Sequence, residues 1–176
     1  RFSSNYKNCH KSDMYITIQS RSSWHSLGKQ IANFSTALHK PYSRGSITLS
    51  KEGEKNPVIV FNFLQDERDL ERMLIGLHRC IRFIFSKEIS PHLRHIFPVN
   101  RNAFIRQLNQ KNKKNYFISG FFSHLLDNFP LATKLICNQL SADKVDFNKM
   151  LESSELLKAY ALKNVGGLAH NVGTCR

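Results

Sequence analysis

The sequence has little acid and none of the short signatures of nucleotide or zinc binding. No G-x-G-x-x-G turn opens a helix after a strand, and no Gly-Lys-Ser/Thr loop occurs. The chain therefore carries no dinucleotide or phosphate-loop site of its own. Its four cysteines, Cys9, Cys80, Cys137 and Cys175, are far apart and form no C-x-x-C. A chain of this length folds without disulfides, so reduced thiols and a cytoplasmic location are expected. His92 and His95, or Cys9 beside His10, make no metal site without further ligands. No apolar run reaches the roughly 18 residues of a membrane span, and no charged n-region precedes an apolar stretch at the start. The first residue is Arg1 and the last, Arg176, lies inside a glycine-rich motif. We therefore expect a fragment whose targeting signals lie elsewhere.

Asp and Glu number 13 against 26 Lys and Arg, for a net charge of +13. That balance permits binding to nucleic acid or to an anionic membrane. The densest run, Lys111-Asn112-Lys113-Lys114, is short and reads as a solvated loop, and no zinc-finger or aromatic RNA-binding motif accompanies it. No nucleic-acid partner is expected. A hydrophobic content of 41% with 13 Phe in 176 residues suits a globular domain with a real core.

Residues 14–19 alternate and predict a strand, with Met14, Ile16 and Ile18 on one face and Tyr15, Thr17 and Gln19 on the other. The segment 22–28 is turn-rich and holds Trp24, a residue that in a loop more often plugs a core than offers a substrate platform. Pro41-Tyr42-Ser43-Arg44-Gly45 turns into a second strand. Residues 57–64 are mostly apolar and predict a third, buried on both faces. Short connections between the three suggest an antiparallel meander. Asp66 then caps a helix with Asp69 three residues on, and Leu70, Met73, Leu74, Leu77, Ile81, Ile84 and Phe85 form its apolar stripe. Glu71, Arg72, Arg79 and Arg82 lie off that stripe. The helix ends before Pro91 and spans roughly 30 Å. Shorter helices are predicted over 103–108, 116–126, 131–140 and 154–162. The aromatics Tyr116, Phe117, Phe121 and Phe122 are assigned to the core.

The chain ends on Gly166-Gly167-Leu168-Ala169-His170-Asn171-Val172-Gly173-Thr174-Cys175-Arg176. Glycines here permit a tight turn or a close approach to a ligand, and such turns often carry functional imidazoles. On spacing alone a loop with a surface His is the plainer reading.

The segment His170-Asn171-Val172-Gly173-Thr174-Cys175-Arg176 resembles the H-x-x-G-T-C-R signature of the glucose–methanol–choline (GMC) family of flavin-dependent alcohol oxidoreductases. The order of elements is similar too: a strand and W-H-x-L-G segment over 14–28, then a P-x-S-R-G turn at Pro41, Ser43, Arg44 and Gly45. An apolar strand from Pro57 to Asn62 and a helix opening D-x-x-D at Asp66 and Asp69 follow. Residues 97–163 carry little signature.

The resemblance implies an α+β fold, the family's C-terminal substrate domain over 1–176, with a mostly antiparallel sheet flanked by helices. It implies FAD as cofactor, bound mainly by a Rossmann half expected before Arg1. A second active-site His or Asn is expected beyond Arg176. The function implied is oxidation of a CH–OH group, with hydride passing to the flavin and His170 as general base. Asn171, Val172, Gly173 and Thr174 would lie at the cofactor, and Ser43, Arg44 and Gly45 would form a structural turn with Arg44 partly buried. The partner implied is a small-molecule alcohol, its pocket drawn from Tyr15, Thr17, Gln19 and the loops after them. The alcohol and the electron acceptor stay open. The alternatives are a non-enzymatic basic module for nucleic acid or an anionic surface, and a degenerate family member kept for its shape. The remaining seven His are expected to be surface or packing residues.

Overall fold

A computed structural model describes residues 1–49, 56–98, 103–141 and 145–167. The chain is α+β. Its described elements are strands β1 (Met14–Gln19), β2 (Asn33–Leu38), β3 (Ser46–Thr48) and β4 (Val58–Val60). The helices are α1 (Ser26–Lys29), α2 (Glu67–Ile84), α3 (Ala103–Leu108), α4 (Lys113–Asn128), α5 (Pro130–Leu140), α6 (Phe147–Glu152) and α7 (Ser154–Asn164).

The strands form two pairs rather than one meander. β1 pairs with β2, and β3 pairs antiparallel with β4 in the register Ser46↔Val60, Ile47↔Ile59, Thr48↔Val58. β2 escaped the sequence reading because Asn33-Phe34-Ser35-Thr36-Ala37-Leu38 shows little alternation of apolar and polar residues. The β3–β4 ribbon departs from expectation in burial. Val58, Ile59 and Val60 are 48%, 49% and 43% exposed. An apolar strand is buried on both faces only when elements cover both, and a ribbon of three paired positions has no such cover among the described residues. Ile18 of β1 is also exposed.

The chain divides into two compact units. Unit one comprises Arg1–Tyr15, Thr36–Arg79 and Glu152–Arg176. Its described core holds Met14, Leu64, Leu74, Leu157 and Ala161. Gly76 lets α2 approach the β1–β2 pair: a Cβ there would stand 2.5 Å from both Met14 Cε and Thr36 Oγ1. Asp66 caps α2 as expected, its carboxylate accepting from the Arg68 amide at 3.0 Å. In α7, Ser153 accepts from the Leu156 amide, and Leu157 and Ala161 turn inward.

Unit two comprises Ile16–Ser35 and Cys80–Leu151, with Leu27, Cys80, Ile81, Leu108, Ile136, Cys137 and Met150 buried. Burial pushes the Cys80 and Cys137 thiols up to about 11, which keeps them as inert apolar groups. His25 is a buried packing residue. Its Nδ1 accepts from the Gly28 amide at 3.1 Å, so Nε2 carries the proton and faces Asn109 Oδ1 at 3.1 Å. α4 packs against α1 and α5. It starts earlier than expected, at Lys113, with Asn112 as cap accepting from the Asn115 amide. Lys113 and Lys114 therefore lie in its first turn rather than in a loop. The expectation that Tyr116, Phe117 and Phe121 are core is overturned: all three are exposed, while Asn115 and Ser119 are buried.

Candidate active site

The site is built on the turn that precedes β3. Two backbone amides in that turn, of Tyr42 and Ser43, point at the Asp69 carboxylate. Tyr42 donates to Oδ1 at 3.0 Å and to Oδ2 at 2.9 Å, and Ser43 donates to Oδ2 at 2.6 Å. Ser43 Oγ in turn accepts from the Asp66 amide at 3.1 Å. A reciprocal capping box would have used Asp69 for that amide. Here Ser43 takes the place, which frees Asp69 to hold the turn.

Asp69 is itself held by Arg72, one helical turn on. The Arg72 side chain is fully buried although its position lies off the leucine stripe of α2. A helix face made of Asp69, Arg72 and Gly76 is turned inward, with Leu70, Met73 and Leu77 half-buried beside it. A guanidinium has five N–H groups in a fixed fork, and five acceptors surround this one. Nε donates to Arg68 O at 3.2 Å. One terminal nitrogen reaches Asp13 Oδ2 and His39 O, both at 3.3 Å. The other reaches Lys40 O at 3.3 Å and Asp69 Oδ1 at 2.6 Å. Asp13 also accepts from the Ser4 amide at 2.8 Å and the Ser4 hydroxyl at 2.6 Å.

Burial pushes the carboxyls of Asp13 and Asp69 up. Hydrogen bonds from Ser4 and Arg72 to Asp13, and from Ser43, Tyr42 and Arg72 to Asp69, outweigh it and hold both below the usual range. Asp66, bonded bidentately by Arg68, is lowered to about 2 chiefly by that hydrogen bond. The Arg68 guanidinium also lies 3.7 Å over the Tyr42 ring. Tyr42 is thus fixed at its amide by Asp69 and at its ring by a cation.

Of the three turn residues named from sequence, Ser43 ties the turn to the start of α2 by accepting from the Asp66 amide. Gly45 is required by close approach, since a Cβ there would run into Val60 O and come within 3.1 Å of Phe61 Cα. Arg44 differs. It is exposed, and its NH1 donates to the carbonyls of Pro41, Tyr42 and Ser43 at 2.7, 3.2 and 3.1 Å. The carbonyl contacts fit the expectation but the burial does not. The buried cation of this region is Arg72. Asn62 closes the turn from the far side, its side-chain amide donating to Arg44 O at 3.1 Å.

Beyond β4, the rings of Phe61 and Phe63 stack at 4.9 Å with 14° between planes. Gly167 lies against Phe63, where a Cβ would meet the ring at 3.3 Å. Gly167 is therefore seated against Phe63, three residues past β4, within unit one. His170, Asn171, Val172, Gly173 and Thr174 lie outside the described residues. Tyr15 packs edge-on to His39 at 5.8 Å, and Thr17 Oγ1 lies 2.7 Å from Ser35 Oγ, so each is engaged within its own unit. Gln19 is exposed. Among the described residues no group of three or more His, Cys, Asp or Glu could hold a metal ion. No helix among them is long and apolar enough to cross a membrane.

The sequence reading missed Asp13 and Arg72. The signal available for Arg72 was its position, three residues from Asp69 and four from Gly76, hence on one face with both.

Unit one thus contains the Ser-Arg-Gly turn, the D-x-x-D helix start and the apolar strand that follows Pro57. The model of the GMC oxidoreductase family matches residues 41–176, which is most of the chain. The protein belongs to the GMC oxidoreductase family. No curated protein and no solved structure matches it.

Proposed function

We infer that the chain is the substrate-side domain of an FAD-dependent oxidoreductase that oxidises a CH–OH group, with His170 as the base. The supporting observation is the family match, which takes in both the Ser43-Arg44-Gly45 turn and the His170 motif. The seating of Gly167 on Phe63 adds to it by joining two family segments in one unit. The chemistry of the residues suits a flavin. The β3–β4 ribbon offers an exposed apolar face, and Gly173 and Thr174 would offer backbone amides and a hydroxyl without bulk.

When bound, FAD supplies the acceptor for the hydride. The chain's own part is proton chemistry and positioning. His170 takes the hydroxyl proton of the alcohol at a ring nitrogen; an unperturbed imidazole titrates at about 6.5, so its neutral form is available at physiological pH. Asn171, Val172, Gly173 and Thr174 would line the cofactor. The Asp69–Arg72 network keeps the turn before β3 fixed, and so keeps the ribbon in place. The test is anaerobic bleaching of the flavin in the full-length protein by a panel of primary and secondary alcohols. Bleaching by at least one alcohol supports the reading. A flavin-loaded protein that no alcohol reduces would remove it.

A further inference from the structure

Helix α4 in unit two is turned inside out. Its buried positions hold Asn115, whose amide donates to Gln107 O at 2.6 Å and Gln110 O at 2.8 Å, and Ser119, whose hydroxyl donates to Tyr116 O at 3.0 Å. Its exposed positions hold Tyr116, Phe117 and Phe121, at 57%, 71% and 61%. An ordinary surface helix has the reverse arrangement. Lys113, Phe117 and Phe121 recur at four-residue spacing and so share one face. Tyr116 and Phe117, with Trp24, Lys111, Asn112 and Lys113, line an open groove of about 610 Å³.

Lys111, Lys113 and Lys114 cluster at the N-terminal end of α4, and the sequence between Glu88 and Asp127 contains no acidic residue. We propose that the α4 face is a peripheral docking surface for an anionic phospholipid bilayer, with Phe117 and Phe121 entering the headgroup–acyl boundary and Lys111, Lys113 and Lys114 meeting the headgroups. Aromatic rings flanked by lysines are the composition of interfacial helices, and each lysine near an anionic surface strengthens binding about fivefold. A second copy of the same face is disfavoured because lysines would meet lysines. Single-stranded nucleic acid shares the charge, so an oligonucleotide is set against the vesicles in the test.

The test is co-sedimentation of the full-length protein with vesicles of phosphatidylcholine alone and of phosphatidylcholine mixed in equal parts with phosphatidylserine. Sedimentation with the mixed vesicles only is expected, weakening as salt rises. Lys113→Gln with Lys114→Gln should lower that affinity about 25-fold. Phe117→Ser with Phe121→Ser should abolish it without changing the melting temperature or the rate of flavin reduction. Four results would overturn the proposal: no sedimentation with either vesicle, equal sedimentation with both, binding to a single-stranded oligonucleotide in place of vesicles, or a fall in melting temperature in the Phe double variant. The last would mean that protein covers the face.

Discussion

Replacing Arg72 by alanine is the sharpest perturbation of the turn that carries β3. The guanidinium is fully buried and its five N–H groups have five acceptors, two of them carboxylates. Removing it leaves Asp13 and Asp69 buried without their counter-charge, although each keeps hydrogen bonds from Ser4 or from the Tyr42 and Ser43 amides. Breaking a buried pair from one side costs about 3–5 kcal/mol. For a domain of this size each kcal/mol moves the midpoint by about 2–4 °C, so Arg72→Ala should melt roughly 6–20 °C lower. Arg72→Lys should recover only part of the loss, because an ammonium keeps the charge but cannot span the acceptors of the fork. Calorimetry or circular dichroism of the parent protein and both variants would read this. An Arg72→Ala protein melting within about 2 °C of the parent would refute the reasoning.

Two further outcomes follow from the same region. Gly45→Ala should cost about 1–3 kcal/mol through the clash with Val60 O and Phe61, whereas Arg44→Ala, at an exposed side chain, should cost about 1 kcal/mol or less; equal melting of the two variants would contradict the assignment. Asp13 and Asp69 are held below the ordinary carboxylate range, so their contribution to stability is complete above the unfolded value of about 3.9 and is lost as pH falls through the lower folded values. The melting midpoint should thus hold steady from neutral pH to about 5 and drop below about 4, and a loss that begins near pH 6 would point to some other group.

Much of unit one was legible because it is punctuated locally. Pro41, Gly45, Pro57 and Asp66 each mark a turn or a helix start whose chemistry is set by near neighbours, and each sits where the sequence suggested. The helical stripe of α2 was legible in period but not in rank. Asp69, Arg72 and Gly76 face inward because Asp13 and the chain at His39 and Lys40 approach them, and such partners are distant in sequence. The same limit explains the β3–β4 ribbon. Valine and isoleucine predict a strand, but whether a face is covered depends on what packs there. It explains α4 as well, where aromatic residues were assigned inward by type alone while Asn115, bonded to Gln107 O and Gln110 O, and Ser119, bonded to Tyr116 O, took the inner positions. In the candidate site, Ser43 and Gly45 were readable from the turn motif. The His170 motif was readable as a family signature, and its residues lie outside those described.

The central claim is that His170 takes the proton of the alcohol. Single-turnover flavin reduction in the full-length protein, wild type against His170→Ala, tests it most directly. General base catalysis of this kind is worth about 10²–10⁴-fold, so the variant should retain its flavin and its melting temperature while the reduction rate falls by that factor. Reduction at the wild-type rate by the best alcohol, in a variant that keeps its flavin, would contradict the account.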